Sequence, residues 1–232
     1  MGKLLLALFI LISLPALSQE PEPKDLFSQA IGKNIRKYRR QAKLAYIRKD
    51  EQRAQFLFDS LVKKVVNGSY IDNFKVRKFS GKRINLYKFE KPIYLITYAS
   101  WCVPGKGEVP AFNDIAERYH KDIDFVLLYW GSKKKIRKSK RKISKHIHVL
   151  YVDEKENRSD FAIRTMKHSL GFPTSFFISA DKQILDVRRN FMHHYLEEYT
   201  DSYNSNYQSF TSGVSLLERG EVQKELQQEP DP

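Results

Sequence analysis

A lone cysteine between an apolar strand and a helix constrains the fold of this chain more than any other feature. The run Ile93–Tyr98 has the composition of a buried strand, and Glu108–Tyr119 has the pattern of a helix. Between them lies Trp101-Cys102-Val103-Pro104, which contains the only cysteine of the chain. A cysteine at a helix N-terminus meets free N–H groups and the helix dipole, which favour the thiolate. We therefore predict a reactive thiol at Cys102; the alternative is a small buried hydrophobic residue.

The residues from Tyr70 onward predict a mixed α/β domain. Apolar residues around Ser80-Gly81 alternate with polar ones, as in a β-hairpin. After the strand at Ile93–Tyr98, helical and apolar segments alternate, so the β-α-β units predict a sheet with a parallel centre. The last two strands are predicted to pair antiparallel. The predicted later strands are Asp124–Trp130, His148–Val152, Ser175–Ser179 and Ile184–Val187.

Residues 68–190 resemble the exported TlpA/ResA-type branch of the thioredoxin-like family, which overlaps in pattern with AhpC/TSA-type redoxins. The resemblance rests on Trp101-Cys102-Val103-Pro104, followed by Glu108-Val109-Pro110, and on the later motif Gly171-Phe172-Pro173-Thr174. It implies an α/β, thioredoxin-like fold, in which a central mixed sheet is flanked by helices. An N-terminal β-hairpin and an N-terminal helical extension would precede that core.

The resemblance also implies roles for particular residues. Cys102 would be the attacking, catalytic thiol, and Trp101 and Pro104 would flank it as substrate-binding residues. Pro173 would be a cis-proline whose loop faces the sulfur. Its neighbour Phe172 would offer its backbone to an extended substrate.

Glu108 matches an acidic residue that tunes the thiols of this branch. A carboxylate beside a thiolate raises the pKa of the thiol and can relay a proton, which would give Glu108 a catalytic role. The alternative is an acid at the start of a helix that stabilises the helix dipole.

Two positions depart from the patterns of related enzymes. Gly105 replaces the resolving cysteine, so a mixed disulfide at Cys102 would await an external thiol. Peroxiredoxins place Thr where this chain has Ala99, which argues against peroxidase chemistry. We predict thiol–disulfide exchange through Cys102 alone, with a cysteine-containing partner protein and no cofactor. The alternative is a redox-inactive binding module that holds a partner in the Cys102/Pro173 groove and on the helical extension.

The N-terminus has the pattern of a secretory signal peptide. Lys3 precedes the apolar run Leu4–Ile12, and small residues follow up to Ser18. The apolar run is short for a membrane anchor, which is the alternative. We predict export, to the periplasm or the medium. The predicted domains are a signal peptide (1–18), a helical extension (19–67), a thioredoxin-like domain (68–190) and a polar C-terminal extension, partly helical or disordered (191–232).

The helical extension carries two apolar stripes with helical spacing, and we expect it to pack on the following domain. The alternative is a partner-binding or dimerising surface. The first stripe consists of Phe27, Ile31, Ile35, Tyr38, Ala42 and Ala45. The second consists of Ala54, Leu57, Phe58, Leu61, Val62 and Val65.

The chain is strongly basic, with a formal net charge of +14. Nine of the thirteen residues from Lys133 to Lys145 are Lys or Arg. This run is either a solvated helix face or a surface for an anionic membrane or an acidic partner. Aromatic residues do not interleave with it, so no nucleic acid partner is predicted. No metal site is predicted either, because His146, His148 and the pair His193-His194 have spacings typical of surface or core residues.

Overall fold

The computed structural model describes residues 25–152, 161–189 and 197–228. The predicted signal peptide and the linker after it lie outside the described residues. So do the start of a helix predicted at 158–168, the pair His193-His194 and the last residues of the C-terminal extension.

The described helices and strands follow the predicted order closely. The helices are α1 (Phe27–Ile47), α2 (Glu51–Leu61), α3 (Glu108–Tyr119), α4 (Lys133–Lys140), α5 (Phe161–Ser169) and α6 (Tyr199–Gln228). The strands are β1 (Lys75–Lys78), β2 (Arg83–Asn85), β3 (Ile93–Ala99), β4 (Asp124–Trp130), β5 (Ile147–Val152), β6 (Thr174–Ile178) and β7 (Ile184–Arg189).

Within the described residues these strands form one sheet, in the order β2-β1-β5-β4-β3-β6-β7. The pairs β3–β4 and β4–β5 are parallel, as the β-α-β pattern predicted. The hairpin strand β1 joins β5 antiparallel, and β6 pairs antiparallel with both β3 and β7. This mixed sheet flanked by helices, with its hairpin and N-terminal helices, confirms the predicted thioredoxin-like fold class.

The core lies on both faces of the sheet, because successive side chains of a strand point to opposite faces. One face packs against α1, α2 and α5. The opposite face packs against α3, α4 and α6 and carries the aromatic residues Tyr94, Tyr98 and Tyr129. Cys102 packs at the edge of this second face.

The helical extension packs on the domain, as we expected. Phe27, Ile31 and Phe58 are fully buried in the same cluster as the sheet residues. Burying one such side chain contributes roughly 1.5–3 kcal/mol. The extension therefore supplies core that the sheet needs on that face.

At the C-terminal end of the second apolar stripe, the buried positions differ from the predicted ones. Val62 and Val66 are buried, whereas the predicted Val65 is only partly buried. The reason is a π-helical turn at Val62–Val66, which adds a residue to the repeat and so moves the next inward position along the chain. Gly68, with φ 89°, ends this segment with a backbone conformation typical of a left-handed cap.

The C-terminal region forms one long helix, α6, of 30 residues, where the sequence showed only weak helical signs. Its inward stripe consists of Phe210, Val214 and Leu217, and it packs on α3 and the sheet. A Cβ at Gly213 would lie 2.2 Å from the Phe177 ring, so the absent side chain permits the close approach. In the described part of the chain, no helix combines the length and apolar character needed to cross a bilayer.

Candidate functional site

Four segments meet at the carboxyl end of β3 and β4: the turn after β3, the start of α3, the start of α6 and the loop before β6. The register sets this arrangement. Ala99 pairs with Trp130 at the ends of the two parallel strands. Thr97 pairs with Thr174 in the antiparallel neighbour, so Pro173 lies at the same end of the sheet.

Backbone hydrogen bonds hold the turn that carries Cys102. The N–H of Ser100 donates to the carbonyl of Trp130 at 2.9 Å, and the N–H of Cys102 donates to the carbonyl of Ala99 at 3.0 Å. Gly131 has φ 143°, and a Cβ there would lie 2.6 Å from the Cβ of Ser100. Glycine at this position therefore lets the two chain segments approach.

The turn exposes the neighbours of Cys102 more than the sulfur itself. The side chain of Trp101 is 71% exposed and that of Val103 is 62% exposed. Cys102 and Pro104 are partly buried. The thiol is thus reachable from solvent between two exposed apolar side chains.

Cys102 does not lie at a helix N-terminus, contrary to our expectation. Helix α3 begins only at Glu108, well beyond the cysteine. Pro104 disfavours helical backbone at the residue before it, and Gly105 and Gly107 each cost a helix roughly 1 kcal/mol relative to Ala. The helix dipole therefore gives the thiolate little support, since its effect falls off within the first turn.

Glu108 is the most constrained side chain of the site, with only 7% exposure. The hydroxyl of Tyr98 donates a hydrogen bond to its Oε1. The N–H of Gly105 donates to its Oε2 at 3.0 Å. Glu108 is in the first turn of α3 and also faces the turn that carries Cys102. Its position is therefore compatible with both roles considered for it, which are stabilising the helix dipole and tuning the thiol.

The surroundings of Cys102 favour the protonated thiol. Burial raises its pKa, and the nearby carboxylate of Glu108 raises it further, while the hydrogen bond with Ala99 acts in the opposite direction. Burial and Glu108 also raise the pKa of the neighbouring hydroxyls of Tyr98 and Tyr129. These groups are therefore neutral at physiological pH.

The loop before β6 contains the predicted cis-proline. The peptide bond Phe172–Pro173 is cis, and Pro173 is buried. The ring of Phe172 packs against Trp130 with 5.2 Å between ring centroids. This contact directs the Phe172 side chain into the protein.

The start of α6 covers the cysteine loop, a contact that the sequence did not indicate. The N–H of Gly107 donates to Oγ of Ser202 at 3.1 Å. A Cβ at Gly107 would lie 2.1 Å from the backbone nitrogen of Tyr203. The hydroxyl of Tyr203 donates to Oδ2 of Asp114 on α3 at 2.6 Å, and this bond raises the pKa of Tyr203 to about 12.

The structure thus brings the predicted site residues to one end of the sheet and adds others. Cys102, Glu108 and Trp101 belong to one loop–helix segment, and the proline loop lies across the sheet end from it. Sequence reasoning missed Tyr98, Tyr129 and Ser202. The available signal for the tyrosines was their position at the ends of two adjacent apolar strands.

Two cavities lie away from the thiol. One of about 590 Å³ follows β7 between α2 and α6, and another of about 460 Å³ lies beside α4. Cys102 lines neither. Among residues 25–152, 161–189 and 197–228, no group of three or more His, Cys, Asp or Glu side chains is arranged to hold a metal ion.

Comparison with protein families gives a match over residues 68–187, to the model of the AhpC/TSA family. The matched stretch makes up more than half of the 232-residue chain. No curated protein matches the sequence.

Several solved structures are similar to this chain at low sequence identity. A protein described as thiol:disulfide interchange protein DsbE from Chlorobium tepidum is 20% identical, with a TM-score of 0.46, over 63% of this chain and 97% of that chain. A secreted disulfide oxidoreductase from Mycobacterium tuberculosis is 16% identical, with a TM-score of 0.41, over 57% and 92%. The thioredoxin domain of a thiol-disulfide oxidoreductase from Bacteroides vulgatus is 16% identical, with a TM-score of 0.43, over 61% and 95%.

Proposed function

Because the chain belongs to the AhpC/TSA family, we propose that it performs thiol–disulfide exchange through its single cysteine, Cys102. The observation that carries the proposal is the setting of this thiol, which lies in a surface turn between the exposed Trp101 and Val103. The cis peptide bond Phe172–Pro173 lies at the same end of the sheet. A partner protein can reach such a sulfur.

We assign the chain to the exported TlpA/ResA-type branch, with Gly105 in the place of the second active-site cysteine. The Trp101-Cys102-Val103-Pro104 motif and the cis-proline loop support this assignment. Peroxidase chemistry is less well supported, because Ala99 lacks the hydroxyl that peroxiredoxins place three residues before the reactive cysteine.

In the proposed reaction, the Cys102 thiolate attacks one sulfur of a partner disulfide. A new S–S bond forms to that sulfur, the partner's S–S bond breaks, and the second partner sulfur leaves as a thiolate that takes up the proton lost by Cys102. A dithiol enzyme would then use its second cysteine to break the mixed disulfide. Gly105 carries no thiol, so a thiol of another molecule must attack the partner sulfur and release Cys102.

The raised pKa of Cys102 acts on both steps. It lowers the thiolate fraction at neutral pH and therefore slows the first attack. It also makes Cys102 a poor leaving group, because a thiol of higher pKa leaves more slowly. On this basis the protein captures its partner and holds it, instead of turning over rapidly, and Glu108 contributes by keeping the pKa high.

The partner would bind along the edges of the turn and the proline loop. Trp101 and Pro104 offer apolar surface beside the sulfur. Phe172 has its ring packed on Trp130, so its backbone, next to Pro173, is the part available to an extended segment.

We also propose that the protein is exported. The support is the N-terminal pattern of Lys3, the apolar run Leu4–Ile12 and the small residues up to Ser18. Mass spectrometry of the protein recovered from the producing cells tests this proposal. A mature chain that begins at Gln19 is expected, and a chain that retains residues 1–18 would contradict it.

The exchange reaction can be tested with a peptide that contains one disulfide and has been mixed with the reduced protein. Non-reducing mass spectrometry then measures the mixed disulfide. The wild-type protein should accumulate it, and Cys102→Ser should form none. Gly105→Cys should clear it without added thiol, because the new cysteine can attack the mixed disulfide.

A wild-type protein that forms no mixed disulfide, although iodoacetamide alkylates Cys102 in the folded state, would refute this function. The second candidate, a redox-inactive binding module, is favoured by the raised pKa of Cys102 and by the absence of any other cysteine in the sequence. It predicts that Cys102→Ser binds a partner as tightly as the wild type.

A further inference from the structure

Helix α4 and the turn between β1 and β2 form a cationic concavity that Cys102 does not line. We call it the basic recess, and it is lined by Phe79, Lys133, Lys134 and Arg137, with a volume of about 460 Å³. The ammonium of Lys133 lies 5.2 Å from the centroid of the Phe79 ring. The ammonium of Lys140 lies 5.5 Å from the same ring. The Phe79 ring thus lies beneath the ammonium groups of Lys133 and Lys140.

The cations of the recess have no acidic partner among the described residues. No carboxylate described in the structure lies within ion-pair distance of Lys133, Lys134 or Arg137. All three side chains are exposed. Like charges this dense repel one another, and an anionic ligand would relieve that repulsion.

The backbone that carries these cations is held in place by the core and by α3. Ile136 is only 1% exposed and anchors α4 in the core. Asn113 of α3 donates to the carbonyl of Lys142 at 2.9 Å and accepts from the N–H of Ser144 at 2.8 Å. The cations therefore project from a backbone that is held in place on both sides, and binding would cost little backbone entropy.

We propose that the basic recess binds the phosphate groups of anionic phospholipids and holds the protein at a membrane surface. Ammonium and guanidinium groups are the usual partners of phosphate oxygens. An anionic membrane offers phosphates at every lateral position, so neighbouring exposed cations such as Lys135 and Lys142 can engage at the same time. An acidic peptide is the other occupant that these cations attract, and the test below distinguishes the two.

The test is vesicle cosedimentation of the proposed mature chain, which begins at Gln19, at about 0.1 M salt, a concentration at which charges interact over about 10 Å. The recess variant combines Lys133→Gln, Lys134→Gln and Arg137→Gln. The matched control combines Lys33→Gln, Lys37→Gln and Arg40→Gln, which removes the same charge from exposed positions of α1 on the opposite face of the sheet.

Affinity is measured on vesicles of phosphatidylcholine with and without phosphatidylglycerol. The ratio of the two affinities is then compared between the wild type, the recess variant and the control. All three proteins begin at Gln19 and differ only at the substituted positions, so the ratio isolates the charge effect. The recess variant should lower the ratio roughly 100-fold, since each cation near an anionic surface contributes about fivefold. The control should change it by much less.

Three results would overturn the proposal. The first is an equal loss in both variants, which would show a dependence on net charge alone. The second is a wild-type protein with no preference for phosphatidylglycerol. The third is a recess variant that binds vesicles like the wild type but loses binding to poly-glutamate, which would assign the recess to an acidic protein. Circular dichroism and Tm verify that the variants remain folded.

Discussion

At Cys102, burial and one carboxylate act in the same direction on a single sulfur. Glu108 is held by the Tyr98 hydroxyl and by the N–H of Gly105, so it cannot turn away from the thiol without losing both bonds. A fixed negative charge disfavours the thiolate more reliably than a mobile one would. Burial is thus the main cause that raises the pKa of Cys102, and the residue that starts α3 adds to it.

Replacing Glu108 by Gln should lower the pKa of Cys102, because the substitution removes the negative charge that raises it. The rate of iodoacetamide alkylation, measured against pH in the folded protein, should then rise at a lower pH than in the wild type. The matched control is Glu117→Gln on the exposed face of the same helix, which should leave the profile in place. A Glu108→Gln profile that moves to higher pH would contradict the role assigned to this carboxylate.

At the scale of elements, α6 and the helical extension are held to the sheet by close contacts, not by apolar stripes alone. The start of α6 lies directly on Gly107, and its middle lies on Phe177 through Gly213. On the other face, Arg189 at the end of β7 ties α1 to the sheet. Each contact depends on one residue whose size or charge the neighbouring element requires.

Gly107→Ala should destabilise the protein by about 1–3 kcal/mol, because the new Cβ would overlap the backbone of Tyr203 and displace α6. Urea unfolding measures the change in the free energy of unfolding. Gly32→Ala is the control, since its Cβ would lie an ordinary 3.6 Å from the Phe161 ring and alanine favours helix by roughly 0.5–1 kcal/mol. Equal effects of the two substitutions would show that α6 does not depend on this contact.

Arg189→Met should loosen the helical extension. The guanidinium donates to the hydroxyls of Tyr38 and Tyr46 and to the carbonyl of Leu170, and it stacks 4.2 Å from the Phe58 ring centroid. Methionine keeps much of the packing but leaves the buried hydroxyl of Tyr38 without this donor, which costs about 1–3 kcal/mol.

Urea unfolding measures the stability of the Arg189 variant. The comparison is Arg53→Met, which removes a guanidinium from the face of the exposed Phe56 ring and should change stability by about 0.5 kcal/mol or less. If both variants unfold at the same urea concentration, Arg189 does not hold the extension.

At the scale of the whole molecule, one face of the sheet is built around buried phenols. Burial is the main cause that raises the pKa of Tyr94, Tyr98 and Tyr129 above the usual value of about 10. The folded protein therefore keeps these protons at alkaline pH, whereas the unfolded chain loses them. A raised pKa in the folded state means stability that is fully present below pH ~10 and lost as pH rises further.

The free energy of unfolding should fall above pH ~10 by about 1.4 kcal/mol per pH unit for each such tyrosine. Urea unfolding at several pH values up to about 11 measures the slope. In Tyr129→Phe the free energy of unfolding should fall less steeply with pH, by the contribution of one tyrosine, because one titrating group has been removed. A slope identical to that of the wild type would show that Tyr129 does not keep its proton in the folded state.

The sequence determined the sheet and the position of the turn that carries Cys102. Period-two and apolar runs placed β3, β4, β5 and β6 within about a residue of their observed bounds, because buried strands leave a strong local signal. The resemblance of the motif around Pro173 to the thioredoxin-like family, and not the strand signal, implied the cis-proline loop. The stripes on α1 and α2 likewise predicted that the extension packs on the domain.

Only the tertiary structure decided how the thiol behaves and what surrounds it. The pKa of Cys102 depends on burial and on Glu108, and α3 begins too late in the chain for its dipole to act. Helix α6 was faint in the sequence because the buried polar residues Ser202 and Asn206 interrupt its inward apolar stripe. Its place on Gly107 depends on a contact between residues far apart in the chain. Local sequence fixes backbone preference, whereas burial and charge at a site arise from segments that meet only after folding.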